Sequence, residues 1–368
     1  MPQLNIDCEG PITQNDNAYE LCEEFIPNGG LFFARVSKYD DYLADVEKRK
    51  GYKAGDTLKL ILPFLKAHGA SNRIMEEFSE KTLALLPGAK EMLQRAAKVM
   101  PTYIISTSYR PYLEALCNVT GFPMNNVYCT HVDMDKYHLD AEEKKALLSL
   151  TNEIASQALL DWPEEAVSAE DLTSANLAIL KRLDEIFFEI IPALNIGRLY
   201  KEINPVGGAE KARSVADSIK KTGLSIDQCI YVGDSITDVQ AFELVSEGGG
   251  LAISFNGNSY AIGAADWACI SPDAAIISAL ARLAQIKDMN ALDTLMKDYG
   301  DDSVKGRKLL TGLKEMGVED VYIKPLETTA HEDYPLILKL NNKNRGNIIK
   351  ASEVMRSKVR GQAIGALG

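Results

Sequence analysis

The sequence predicts an α/β protein built on a Rossmann-like, mostly parallel sheet, with helical segments inserted between the strands. Two short apolar runs each end in a polar turn and pass at once into an amphipathic helix, in "TYIISTSYRPYLEAL" and "QCIYVGDSITDVQAFELV". Strand and helix signals alternate across residues 97–130 and 206–290, as crossover-connected parallel strands require. The chain's 368 residues can bury a core large enough to divide.

Residues 3–6 read as a short first strand ending at Asp7, followed by the turn Cys8-Glu9-Gly10-Pro11. Ala18, Leu21, Cys22 and Phe25 then recur at three- and four-residue spacings, and the helical pattern continues to about 85. This predicts a helical cap over 16–85, with Pro87-Gly88 marking re-entry into the core. "YIISTS" and "NNVYCT" supply two strands, and 136–199 is a second, mostly helical insertion. After the turn "NPVGG" a helix runs to Gly223, and "CIYVG", "GLAIS" and "WACIS" are further strands. The core is therefore expected in 1–15, 86–135 and 200–290. Residues 291–368 read as a mixed C-terminal extension with a helix "GRKLLTGLKEMG", a strand "VEDVYIKPL" and a final segment "ASEVMRSKVRGQAIGAL".

Composition narrows the function. The chain is 46% apolar and 25% charged with a formal net charge of −12, which favours a soluble protein and disfavours nucleic acid or anionic membrane as partner. Anionic substrates stay open, because a local cation or metal overrides the global sign. The six cysteines, at 8, 22, 117, 129, 229 and 269, form no CxxC pair and read as buried thiols in a reducing compartment. The chain opens with no basic-then-apolar signal pattern, and no apolar segment approaches the roughly 20 residues that cross a bilayer. A cytoplasmic location is the expectation.

Parallel sheets bind ligands outside the carboxyl ends of their strands. Asp7, Ser106 and Asp234 each lie at or just after such an end, and neighbouring strands would bring them into one crevice. A carboxylate there can attack phosphorus and form an aspartyl phosphate. Mg²⁺ suits the oxygen donors of Asp7 and Asp234, with Asp238 one turn further on. Ser106 and Lys211 are suited to hold phosphoryl oxygens. Taken singly each has an ordinary reading: "GDSITD" as a helix cap, Ser106 as a strand-end hydroxyl, Lys211 as a solvated helix residue.

Order and spacing together resemble the haloacid dehalogenase-like (HAD) superfamily, most of whose members are Mg²⁺-dependent phosphatases with an aspartate nucleophile. Its Asp-x-Asp motif falls on Asp7-Cys8-Glu9, its strand ending in Ser or Thr on "YIISTS" (Ser106, then Thr107), its lysine on Lys211, and its acidic motif on Asp234 and Asp238. "SYRPYL" and the helical cap resemble the phosphoserine phosphatase-type branch. "CEGPI", "SKYDDYLA", "ISTSY" and "AISFNGN" resemble a small group of archaeal HAD-like proteins, some labelled subunit R of an energy-converting hydrogenase, although the chain has no iron–sulfur cysteine spacing.

The resemblance implies that Asp7 attacks phosphorus beside the Cys8 backbone. It also implies that Asp7, the Glu9 carbonyl and Asp234 hold Mg²⁺, with Asp238 as ligand or support, while Ser106, Thr107 and Lys211 position the phosphoryl group. Asn256 and Asn258 would line the rim, and Tyr39, Asp40, Asp41, Tyr42 and Arg49 would face the pocket from the cap, or serve as helix packing. The chain departs from the family where Glu9 replaces the aspartate that protonates the leaving group. Glutamate can do that work, but its extra methylene moves the carboxyl by roughly 1 Å, a shift that can cost about a hundredfold. The leading expectation is a phosphohydrolase acting on a small phosphorylated metabolite. The alternative is a non-catalytic or weakly active HAD-scaffold protein, in a protein complex or as a homo-oligomer. Phosphomutase, C–P and C–halogen chemistry are a third class.

Overall fold

A computed structural model describes residues 1–163, 166–299, 303–328 and 334–365. It has one eight-stranded sheet in the order β3-β2-β1-β4-β5-β6-β8-β7. The strands are β1 (Gln3–Ile6), β2 (Thr102–Tyr109), β3 (Val127–Thr130), β4 (Cys229–Gly233), β5 (Leu251–Phe255), β6 (Trp267–Ile270), β7 (Ser303–Lys305) and β8 (Leu336–Lys339). The first six are parallel; β8 runs antiparallel to β6, and β7 antiparallel to β8. The α/β class and mostly parallel sheet match the expectation.

β1 is a short signal in the sequence and an interior strand of the sheet. All four of its residues are buried, and it pairs on both sides, Ile6 with Ile104 of β2 and with Val232 of β4. The order reverses between β1 and β4, so the chain leaves these two neighbours in opposite lateral directions and opens a crevice at their carboxyl ends. Asp7 and Asp234 leave the sheet side by side there, and Asp7 N–H donates to Val232 C=O at 2.8 Å.

The stretches 16–85 and 136–199 are both helical, and they share one hydrophobic cluster that runs from Phe32, Tyr39 and Phe64 to Leu147, Leu183 and Phe187. Two stretches far apart in sequence thus build one helical body. At its centre the buried Phe187 ring stacks on Tyr39 with centroids 5.7 Å apart and meets Phe64 edge-on at 6.0 Å. Aromatic pairs at such separations add specific attraction to their buried area.

The C-terminal extension differs most from expectation. "VEDVYIKPL" is not a strand: Asp320–Glu327 is a helix. Tyr322, Ile323 and Leu326 are buried along one helical face while Val321 stays exposed, and the place beside β6 belongs to β8. β-branched content suggested a strand, but packing of a 3.6-residue periodicity decided otherwise. β8 itself, "LILK", lies in a segment that the sequence marks only by turn residues. The extension ends in the helix Arg345–Arg360 and a short turn of helix, Gln362–Gly365.

Phe187→Ala is expected to cost about 3–5 kcal/mol of stability, the usual result of emptying a large buried aromatic site. A chemical-denaturation curve shifted by less than about 1 kcal/mol would mean the two helical stretches do not depend on one another through this ring.

Candidate functional site

The crevice is assembled from turns that follow β1 and β4 and from a lysine on the helix Ala209–Thr222. Lys211 is fully buried, and its ammonium lies 2.6 Å from Asp7 Oδ2 and 2.7 Å from Asp238 Oδ1. The other oxygen of Asp7 accepts the Cys8 N–H at 2.7 Å, so both oxygens of that carboxylate are held. Asp238 is the anchor of the second turn. It accepts from Lys211, from the Tyr231 hydroxyl at 2.6 Å, and from the N–H groups of Asp234 and Ser235 at 2.9 and 3.0 Å. With the Ser235 hydroxyl at 3.4 Å as a fifth donor, it serves as a brace for Lys211 and the turn rather than as a free metal ligand.

Two glycines let these turns close. Gly10 adopts φ +96°, and a Cβ placed there would fall 2.1 Å from Asp234 Oδ2. Gly233 abuts the Asp238 carboxyl, where a Cβ would fall 2.4 Å from Cγ. Only a hydrogen atom fits between the first turn and the second turn's carboxylate.

One oxygen from each of Asp7, Asp234 and Asp238 lies within 4.8 Å of the others. These hard donors fit Mg²⁺ in kind, Asp7 and Asp234 more directly than the fully engaged Asp238. Asp234 nevertheless has two other cationic partners. Its Oδ2 accepts from the guanidinium groups of Arg356 and of Arg360, the latter at 3.0 Å, and both arginines come from the C-terminal helix. Nothing in the motif pattern pointed to them. The available signal was the four-residue spacing in "RSKVR", which puts two guanidiniums on one helical face.

Glu9 also differs from a freely swinging acid. Its Oε1 accepts the Asn17 N–H at 2.8 Å, at the start of the cap helix Asn17–Phe25, where Asp16 is the N-cap and accepts from Tyr19 N–H at 2.9 Å. A helix N-terminus offers unpaired N–H groups, and the longer glutamate reaches one of them. Burial, reinforced by the Asp16 charge and opposed by Arg360 and the Asn17 N–H, pushes Glu9 up to about 8. Asp7 is likewise pushed up to about 8, chiefly by burial, with Lys211 pulling it down and Asp238 and Asp234 adding to the rise. Burial alone would favour loss of the Lys211 proton, but the charges of Asp238 and Asp7 more than offset it and keep the ammonium charged.

A cavity of about 80 Å³ lies over these groups, bounded by Asp7, Glu9, Asp16, Thr107, Asp234 and both arginines on one side and by Asp40, Asp41, Gly55 and Thr57 of the cap on the other. Thr107 lines it and its hydroxyl finds no protein partner, whereas the buried Ser106 Oγ accepts the Ser108 N–H at 3.1 Å and does not line it. Of the two hydroxyls, the one at the cavity wall is that of Thr107. Asp40 accepts from the Tyr52 hydroxyl (2.6 Å) and from the N–H groups of Gly55 (2.8 Å) and Thr57 (3.0 Å), shaping the cap loop. That loop rests on the core: a Cβ on Gly55 would lie 3.0 Å from Thr107 Cγ2 and 3.1 Å from Thr237 Cγ2.

Four expected rim residues serve elsewhere. Tyr39 is buried and donates its hydroxyl to Asp184, and Arg49 bonds the same carboxylate at 2.8 Å while lying over Phe188. Both brace one helical stretch against the other. Asn256 exchanges two hydrogen bonds with the Ser271 backbone, 2.7 and 2.9 Å, and Asn258 caps the helix Ser259–Ala264. Its N–H also donates to Asp234 C=O at 3.0 Å, so it supports the acidic turn from behind. Asp41 does line the cavity, while Tyr42 is buried in the helical body against Trp162.

No protein-family model and no curated protein matches the chain. Among solved structures, gene product AF1437 from Archaeoglobus fulgidus is similar along its whole length, with 29% identity and a TM-score of 0.79 over 100% of this chain and 99% of that one. A substrate-bound phosphoserine phosphatase is 10% identical with a TM-score of 0.41 over 72% of this chain and 90% of its own. A phospho-aspartyl intermediate analogue of phosphoserine phosphatase is 11% identical, also at 0.41, over 73% and 92%. Among the described residues, no helix is long and apolar enough to cross a membrane.

Gly10→Ala is expected to displace the Asp234 carboxylate in a crystal structure and to cost about 1–3 kcal/mol through strain at positive φ. Unchanged stability with Asp234 in place would refute the close approach. Lys211→Met leaves Asp7 and Asp238 facing one another in a buried site and should destabilise by about 3–5 kcal/mol in thermal or chemical unfolding.

Proposed function

We propose that the chain is a HAD-superfamily phosphohydrolase that acts on a small phosphomonoester with Mg²⁺ as cofactor. The observation that carries this reading is the buried Lys211 held between Asp7 and Asp238 at the switch point of the sheet, with Asp7 and Asp234 lining one cavity. The ordered motifs Asp7-x-Glu9, Ser106-Thr107, Lys211 and Asp234-x3-Asp238 agree with it.

In this reading a phosphate enters above Asp7. Lys211 and the Thr107 hydroxyl, with Ser106 behind it, orient the phosphoryl oxygens, and Lys211 offsets their charge. An Asp7 carboxylate oxygen attacks phosphorus as the ester P–O bond breaks, and the departing oxygen takes the proton of Glu9. Glu9, now ionised, takes a proton from a water that attacks the aspartyl phosphate, which frees Asp7 and inorganic phosphate. Burial and the Asp16 charge favour the protonated form of Glu9, which suits the acid step, while Asp7, also raised by burial, depends on the Lys211 charge to attack as the carboxylate. Asp7, Asp234 and the Glu9 carbonyl would hold Mg²⁺, which supplies charge neutralisation at the phosphoryl oxygens.

The second reading, a scaffold without turnover, is favoured by one observation: Asp234 is already paired with Arg356 and Arg360. Hydrolysis of p-nitrophenyl phosphate and of a panel of alkyl phosphomonoesters, with and without Mg²⁺, separates the two. Phosphatase function predicts metal-dependent turnover that Asp7→Asn reduces to background. Glu9→Gln should lose about 10²–10⁴-fold in steady-state turnover on both kinds of ester, since both pass through the aspartyl phosphate that Glu9 helps hydrolyse, while the first-turnover release of nitrophenolate, which needs no proton, is much less affected. Inactive wild type across the panel, with activity gained by Glu9→Asp, establishes the scaffold reading instead.

A further inference from the structure

The crevice carries more positive charge than Lys211, and the surplus comes from one face of one helix. Ser352, Arg356 and Arg360 recur every four residues on Arg345–Arg360 and are all buried, the two arginines being 2% and 8% exposed. Each residue latches a different part of the core. Ser352 donates to Gly257 C=O at 2.7 Å, in the loop after β5. Arg356 holds both the side chain and, at 3.1 Å, the backbone carbonyl of Asp234 after β4. Arg360 reaches Asp234 and also the carbonyls of Gln14 and Asn15, at 3.1 and 2.7 Å, in the segment joining the first turn to the cap.

A buried guanidinium is costly unless a partner compensates it. Here the main partner of both is Asp234, one of the two carboxylates placed to take a divalent cation. Two guanidiniums on Asp234 Oδ2 already neutralise that group, and a doubly charged ion brought against the same carboxylate meets them at short range in a medium that screens weakly.

We propose that the C-terminal helix is an internal competitor of the metal: Arg356 and Arg360 seated on Asp234, and a divalent cation between Asp7 and Asp234, exclude each other, so that cation binding loosens the helix and a seated helix weakens cation binding. This rests on the metal-site reading given under Proposed function. Linkage makes the effect reciprocal, because whatever free energy the helix removes from the metal the metal removes from the helix. Release of Arg356 and Arg360 also opens the cavity along the wall they form, beside Asp16 and Asp234, so the same event that admits the ion widens the site.

Two measurements test the proposal without reference to turnover. Titration calorimetry with Mg²⁺ alone compares the wild type with Arg356→Met/Arg360→Met, which keeps the aliphatic stems and removes both charges, and with Arg356→Lys/Arg360→Lys, which keeps the charges. The methionine variant should bind Mg²⁺ about tenfold more tightly or better, while the lysine variant stays near the wild-type affinity. Hydrogen exchange of the unmodified protein should show amides of 345–360 exchanging faster with Mg²⁺ than without it, a readout that survives if the methionine variant fails to fold. A wild type that binds Mg²⁺ with no faster exchange in 345–360, or a methionine variant that binds no more tightly, overturns the competition and leaves the phosphatase reading standing. No Mg²⁺ binding by wild type or either variant overturns both.

Discussion

A single buried ammonium organises the molecule. Lys211 has no exposure and lies within hydrogen-bond reach of carboxylates that belong to different strand ends, Asp7 after β1 and Asp238 after β4. Neither acid could be buried beside the other without it, and it would not remain charged at that depth without them. The local structure follows from this three-way dependence. Gly233 and Gly10 are needed because the turns must approach so closely, and Tyr231 spends its hydroxyl on Asp238 because every remaining lone pair must be met.

The arginines extend the same electrostatic logic to the far end of the described chain. Asp7, Glu9, Asp16 and Asp234 line one small cavity with Asp238 buried behind it, and Lys211 is not the only cation that meets them. The helix Arg345–Arg360 supplies two further cations, and the similarity to gene product AF1437, which spans the whole length of this chain, takes in that helix. The extension is therefore part of the crevice and not an appendage. It also adds β8 and β7 to the sheet, which moves the open edge away from β6.

Much of this was legible in the residues. The six parallel strands were readable from apolar runs that end in polar turns, and Asp7, Lys211, Asp234 and Asp238 from their order along the chain. What was hidden shares a physical cause. The pairing of β2 with β3 is irregular between Ile105 and Tyr109, where Ser106 and Thr107 lie, so the motif alone did not tell which hydroxyl reaches the cavity. Tyr39 and Arg49 look like pocket residues until Asp184, over a hundred positions away, claims both. Glu9 reads as an acid two places after Asp7, yet its bond to Asn17 N–H depends on where the helix Asn17–Phe25 begins. Arg356 and Arg360 carry no motif at all, since their partner is a carboxylate 122 and 126 residues earlier.

The latch from Arg360 to Asn15 joins residues 345 positions apart in the chain. Contacts of such span reward the chain only after a large loop has closed. The helix Arg345–Arg360 therefore closes a loop that takes in nearly the whole chain, and it does so at the crevice, without contributing a strand to the sheet.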